Sequence, residues 1–238
     1  MSDQLDVGGI LIDVVFKDIK NVHLSVYPPN GRVRIAAPSR MSLDTLRLYA
    51  IAKLDWIKRQ QKKLLEQQRE TPREYLDRES HHVWGQRYLL KVIEADLPPV
   101  VQLKHSTLLL QVRPGSNEQK RQEILEAWFR EQLKPAVLPL IAKWEPQLDV
   151  HVSHFFVQLM KTRWGSCNPD TGSIRLNTEL AKKPRECLEY IVVHEMVHLL
   201  EPTHNRRFVA LIDQFMPNWQ FVRDILNQLP VRHENWIY

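Results

Sequence analysis

The sequence predicts an α+β protein, with a β-rich lobe over residues 1–150 that includes two long helices, followed by a region over 151–238 organised around another helix. Three observations predict it. Short apolar runs closed by Pro, Gly, Asn and Asp clusters fill Gly8 to Pro38 and Val83 to Val112. Apolar residues then recur at helical spacing from Leu46 to Leu65 and from Ile124 to Leu133, and again from Leu188 to Leu199. No internal repeat and no Gly/Ser linker is visible, so one continuous domain is compatible with the same pattern.

Ile10–Phe16, His23–Tyr27 and Arg32–Ala37 read as strands of a small antiparallel sheet, punctuated by Pro28-Pro29-Asn30-Gly31. Ser42 supplies an N-cap hydroxyl for a helix that carries Leu46, Tyr49, Ala50, Leu54 and Ile57 and runs to about Gln68. Val83–Ile93, Val100–Lys104 and Thr107–Val112 are again strand-like. Asn117 caps the next helix, which Pro135 and Pro139 should kink or divide. Val150–Met160 is extended, Asn168–Gly172 is a loop, and Ser173–Asn177 is a strand. Pro184 suits the first turn of a helix whose buried side is Leu188, Ile191, Val192, Met196 and Leu199.

The composition, 43% hydrophobic and 26% charged, is that of an ordinary globular chain. No run approaches the roughly 18–20 apolar residues of a membrane span. The first residues, Met-Ser-Asp-Gln-Leu-Asp, lack a secretory leader's basic and apolar regions, so a cytoplasmic protein is expected. Cys167 and Cys187 fit free thiols in that setting. The net charge of +5 is small, and its densest run, Lys58 to Lys63, fans around a helix as a solvated face. Nucleic acid and membrane are therefore not expected partners, and nothing in the sequence bears on oligomeric state.

Among ten histidines, three stand in a motif. His194-Glu195-Met196-Val197-His198 places two imidazoles one helical turn apart, on one face, where their nitrogens can converge on a single ion. Glu195 is angled toward a water on that ion, the position of a general base. Pro202 should end the helix and turn the chain back, bringing His204 to the same point. Chance alone gives the five-residue pattern in roughly 3 of 100 such chains, and with the third histidine in about 1 of 1,000. Three protein ligands and one open position describe a catalytic Zn2+. Asp213 or Asp224, from a later helix, is the alternative third ligand.

Arg163-Trp164-Gly165-Ser166-Cys167, Ile174-Arg175-Leu176-Asn177, Tyr190 to Leu199, His204 and Phe208 together resemble the YgjP-like family of zincin metallopeptidases. The resemblance is densest from about Arg163 to Trp219. It implies a zincin-like catalytic core behind an N-terminal β-rich lobe, zinc on His194, His198 and His204, and Glu195 as catalytic base. The glycine that metzincins place in the turn is Glu201 here, and Met216 is a weak counterpart of their Met-turn. Ser173–Asn177 is expected to be the edge strand that takes up substrate backbone, with Gly165 allowing close approach beside it. Arg163, Trp164 and Asn177 are the expected substrate contacts, with core packing the alternative for Trp164.

A peptide or protein is the expected substrate of this zinc-dependent hydrolase. A nucleoside triphosphate, cleaved at a phosphoanhydride, is the alternative, for which Arg163, Arg175, Lys182, Lys183, Arg206 and Arg207 would supply cations. No Gly-rich phosphate loop or carboxylate cluster for magnesium supports it. A binding module with a structural zinc is the third reading, against which the intact Glu195 speaks.

Overall fold

The computed structural model describes residues 3–27, 30–66, 73–160 and 163–230. The chain forms two compact units, Met1–Glu70 with Pro230–Tyr238, and Thr71–Leu229. The expected lobe 1–150 coincides with neither, because the helix ending at Leu148 shares a hydrophobic core with the His194 helix. The architecture is α+β. No helix among the described residues is long and apolar enough to cross a membrane.

In the first unit, strands β1 (Asp3–Val7), β2 (Ile10–Lys17), β3 (His23–Tyr27) and β4 (Arg32–Pro38) form a sheet in the order β1-β2-β4-β3. The sheet is mixed, not antiparallel as expected: β2 and β4 run parallel, since the β3–β4 hairpin returns the chain beside β2 in its original direction. Strand β1 escapes sequence reading because only Leu5 and Val7 point inward. The expected helix to Gln68 is two helices, α1 (Leu43–Ala52), capped by Ser42, and α2 (Leu54–Glu66). They break at Lys53, whose N–H turns back to Tyr49 and Ala50; residues 67 and 68 lie outside the described residues. Leu46, Ala50 and Ile57 join Ile12, Val33 and Ile35 in one core, and Lys58, Arg59, Lys62 and Lys63 face solvent as expected.

The second unit opens with β5 (Ser80–Val83), β6 (Gln86–Glu94), β7 (Val100–Lys104) and β8 (Thr107–Val112), in the order β5-β6-β8-β7. This is the first sheet's plan again, a parallel central pair flanked by hairpins, although no repeat is visible in the sequence. The run expected as one strand, Val83–Ile93, is a hairpin corner, with Trp84 and Gly85 both at positive φ in a two-residue turn. Trp84 N–H donates to the carbonyl of Ala181, and Arg185 lies 4.3 Å over the Trp84 ring. A Cβ on Gly85 would stand 2.9 Å from the Pro184 ring, so the hairpin tip abuts the start of the His194 helix.

Helix α3 (Glu118–Leu148), capped by Asn117, passes unbroken through Pro135, Pro139 and Pro146. The expected division fails for a physical reason. All three prolines lie on the exposed side, where the residues whose carbonyls they orphan, Glu131, Pro135 and Ala142, are open to solvent, while Leu125, Phe129, Leu133, Val137, Ile141, Trp144 and Leu148 form a continuous buried stripe. Strands β9 (His154–Gln158), β10 (Gly165–Asn168) and β11 (Ser173–Asn177) form a third sheet, ordered β10-β11-β9. Helices α4 (Arg185–Val197), α5 (Arg206–Phe215) and α6 (Trp219–Gln228) complete the unit. α4 packs against α3, α5, α6, β10 and β11.

Candidate metal and catalytic site

Being packed on several sides, α4 buries Leu188, Val192, Val193, Met196 and Val197. Arg185, Glu186 and Glu189 lie on its exposed or half-buried side, while His194, Glu195 and the C-capping His198 line a cavity of about 600 Å³ between α4, β10 and α6. After Val197 the helix closes with Leu200 and Glu201 N–H groups on the Val197 carbonyl. Pro202 follows, and Asn205 caps α5 by accepting from Phe208 N–H. This turn carries His204 back over α4.

His204 Nε2 lies 2.9 Å from His194 Nε2 and 3.1 Å from His198 Nε2. One ring nitrogen, with a single proton or a single lone pair, satisfies one of these contacts and not both. Nitrogen ligands around a tetrahedral ion at 2.0–2.1 Å stand about 3.3 Å apart, so the three positions suit one dication. His198 Nδ1 lies 3.0 Å from the Glu201 carbonyl, which makes Nδ1 the donor and leaves the Nε2 lone pair for a metal. Burial, helped by the other two histidines, lowers the His194 pKa to about 3 and keeps that ring neutral. These three form the convergent ligand group among the described residues. The alternative ligands lie elsewhere: Asp213 accepts from Trp219 Nε1 at 2.6 Å, and Asp224 accepts from Arg223. Met216 is buried in the core.

Phe208, which only the resemblance brought to notice, backs the group. Its ring centroid is 4.6–4.9 Å from all three imidazoles. Tyr190 packs edge-on to His194 and stacks on Trp219, and burial pushes its hydroxyl pKa up to about 12.

Glu195 is 5% exposed, and its burial pushes the carboxyl up to about 8 against the pull of Arg163. A neighbouring dication would act in the same direction as Arg163. Cys167, on β10, lines the cavity as a neutral thiol, raised to about 11 first by burial and then by Glu195.

The expected substrate contacts divide. Arg163 and Trp164 line the cavity, Trp164 also packing against the main core. Asn177 does not. It is buried, its Nδ2 donating to the carbonyls of Met160 and Arg163 at 2.7 Å each and its Oδ1 accepting from the N–H groups of Met160 and Glu179. It positions the chain entering β10. The expected edge strand also shifts. β11 is paired on both sides, with β10 and β9, whereas β10 pairs only with β11 among the described residues. Among the described residues, the free edge beside the cavity is therefore Gly165–Asn168.

Of the six cations that favoured a phosphate substrate, only Arg163 lines the cavity. Lys182 pairs with Glu179, Lys183 is buried near the Trp164 ring, and Arg175 lies over Phe156. Arg223, which carries no motif, lines the cavity from α6.

Three histidines that could hold a metal ion and a buried glutamate thus meet on one helix-and-turn frame. A model of the YgjP-like metallopeptidase domain matches residues 20–229, and the chain belongs to that family. No curated protein matches at a significant level. Solved structures with local likeness include the metallopeptidase zymogens abylysin of Pyrococcus abyssi and jannalysin of Methanocaldococcus jannaschii. Abylysin is 20% identical with a TM-score of 0.36, covering 38% of this chain and 90% of its own. Jannalysin is 19% identical with a TM-score of 0.34, covering 38% and 92%.

Proposed function

We propose that the protein is a zinc-dependent peptidase of the cytoplasm, with His194, His198 and His204 holding the ion and Glu195 as general base. The observation that carries this is the meeting of three imidazole Nε2 atoms at the cavity that Glu195 lines. Held by these three histidines, a dication would supply an acidified water and a Lewis acid for the carbonyl. The remaining work belongs to the chain. Glu195 takes a proton from the attacking water and delivers it to the leaving nitrogen. The free edge of β10 offers backbone groups to an extended peptide. Phe208 and the Glu201 carbonyl hold the imidazoles in place. The dispersal of the other five cations weighs against a triphosphate.

Digestion of a peptide library tests this reading, with the protein as purified, after chelation, and after zinc is restored. Cleavage that disappears and returns is expected; cleavage indifferent to chelation would refute it.

A further inference from the structure

The cavity lining has one carboxylate among the described residues, the buried Glu195, and two guanidinium groups, Arg163 and Arg223. Arg223 is held in place. It lies 4.9 Å over the Trp219 ring, and Trp219 is itself fixed by its hydrogen bond to Asp213 and its stacking on Tyr190. Nε and Nη2 of Arg223 both donate to Asp224 Oδ1, at 3.1 and 3.0 Å, while Nη1 has no hydrogen-bond partner among the described residues. Asp224 offsets part of the charge, but its side chain is 57% exposed and is not part of the cavity lining. Ile191 and Leu226 line the cavity with Arg223, giving an apolar wall near a fixed cation. An aliphatic stem ending in a carboxylate matches that pairing, through a charge-assisted hydrogen bond.

We infer that the cleft selects peptides bearing an acidic side chain within a residue or two of the scissile bond, with the carboxylate held by Arg223 and the stem against Ile191 and Leu226. The inference rests on the peptidase reading and names its substrate class. Arg223 is a specificity residue, separate from the metal ligands and the base.

Matched fluorogenic peptides with Glu, Gln or Lys at the flanking positions test it, on zinc-loaded wild type, Arg223→Gln and Arg223→Glu. Binding of the same peptides to Glu195→Gln, alone and combined with Arg223→Glu, is followed by fluorescence anisotropy. Wild type should favour Glu over Gln by about tenfold in kcat/KM, mainly through KM. Arg223→Gln should erase the preference, and Arg223→Glu should invert it toward Lys, in cleavage and in binding alike. An acid preference that survives Arg223→Glu, or equal use of the three peptides, overturns the inference and leaves the peptidase reading standing. Hydrolysis of a nucleoside triphosphate by zinc-loaded protein that neither cleaves nor binds the peptides would overturn both.

Discussion

Gly165 and Glu195 meet so closely that a side chain on one excludes the other: a Cβ at residue 165 would stand 2.5 Å from Glu195 Oε1 and 2.8 Å from its Cγ. The first residue of β10 is thus a backbone floor for the carboxylate. Gly165→Ala must displace Glu195 while leaving all three imidazoles untouched. A fall in kcat of about tenfold or more is expected with bound metal unchanged, checked by steady-state kinetics beside metal analysis. Full activity in the alanine variant would show that this contact does not place the base.

Asn177 makes four hydrogen bonds to backbone groups of Met160, Arg163 and Glu179. Asn177→Ala leaves buried partners unsatisfied and should cost about 1–3 kcal/mol. Urea denaturation of the holoprotein measures it. Asn177→Asp keeps the acceptors and loses both donor bonds, so it should not restore stability.

The ligand assignment separates three variants. His204→Ala should lose most metal, whereas Asp213→Ala and Asp224→Ala should retain it, because each aspartate is engaged with a neighbour away from the imidazoles. Zinc titration against a chromophoric chelator distinguishes them. Retention by His204→Ala would move the third ligand elsewhere.

The first unit carries its own pH dependence. Hydrogen bonds from Arg32 and then Gln4 hold the Asp13 carboxyl below the usual aspartate range. A depressed folded-state pKa stabilises the fold above the unfolded value near 3.8, and that contribution is lost as pH falls through the folded value. Asp13→Asn should therefore be less stable than wild type at pH 7 and approach it in acid, as pH falls below the depressed folded value. Denaturation of both proteins across that range provides the check, and a gap that persists undiminished in acid would refute the assignment.

Much of this was legible because local chemistry decided it. The Ser42 and Asn117 caps, the helix spacing of His194, Glu195 and His198, and the chain reversal at Pro202 depend on near neighbours. What escaped reading depends on distant ones. Pro139 sits mid-helix because the opposite face of α3 is buried, a fact absent from its flanking residues. Asn177 is buried with its amide engaged by backbone groups of Met160 and Arg163, fourteen or more residues away, which no local pattern reveals. Arg223 joined the cavity only through the packing of α6 on α4.

The central claim, that Glu195 does the proton transfer at a site held by three histidines, is tested most directly by Glu195→Gln at matched zinc occupancy. The isosteric amide keeps the packing against Gly165 and removes the base. Peptide turnover should fall by about 10² or more with bound zinc unchanged. Undiminished turnover in that variant would contradict the account.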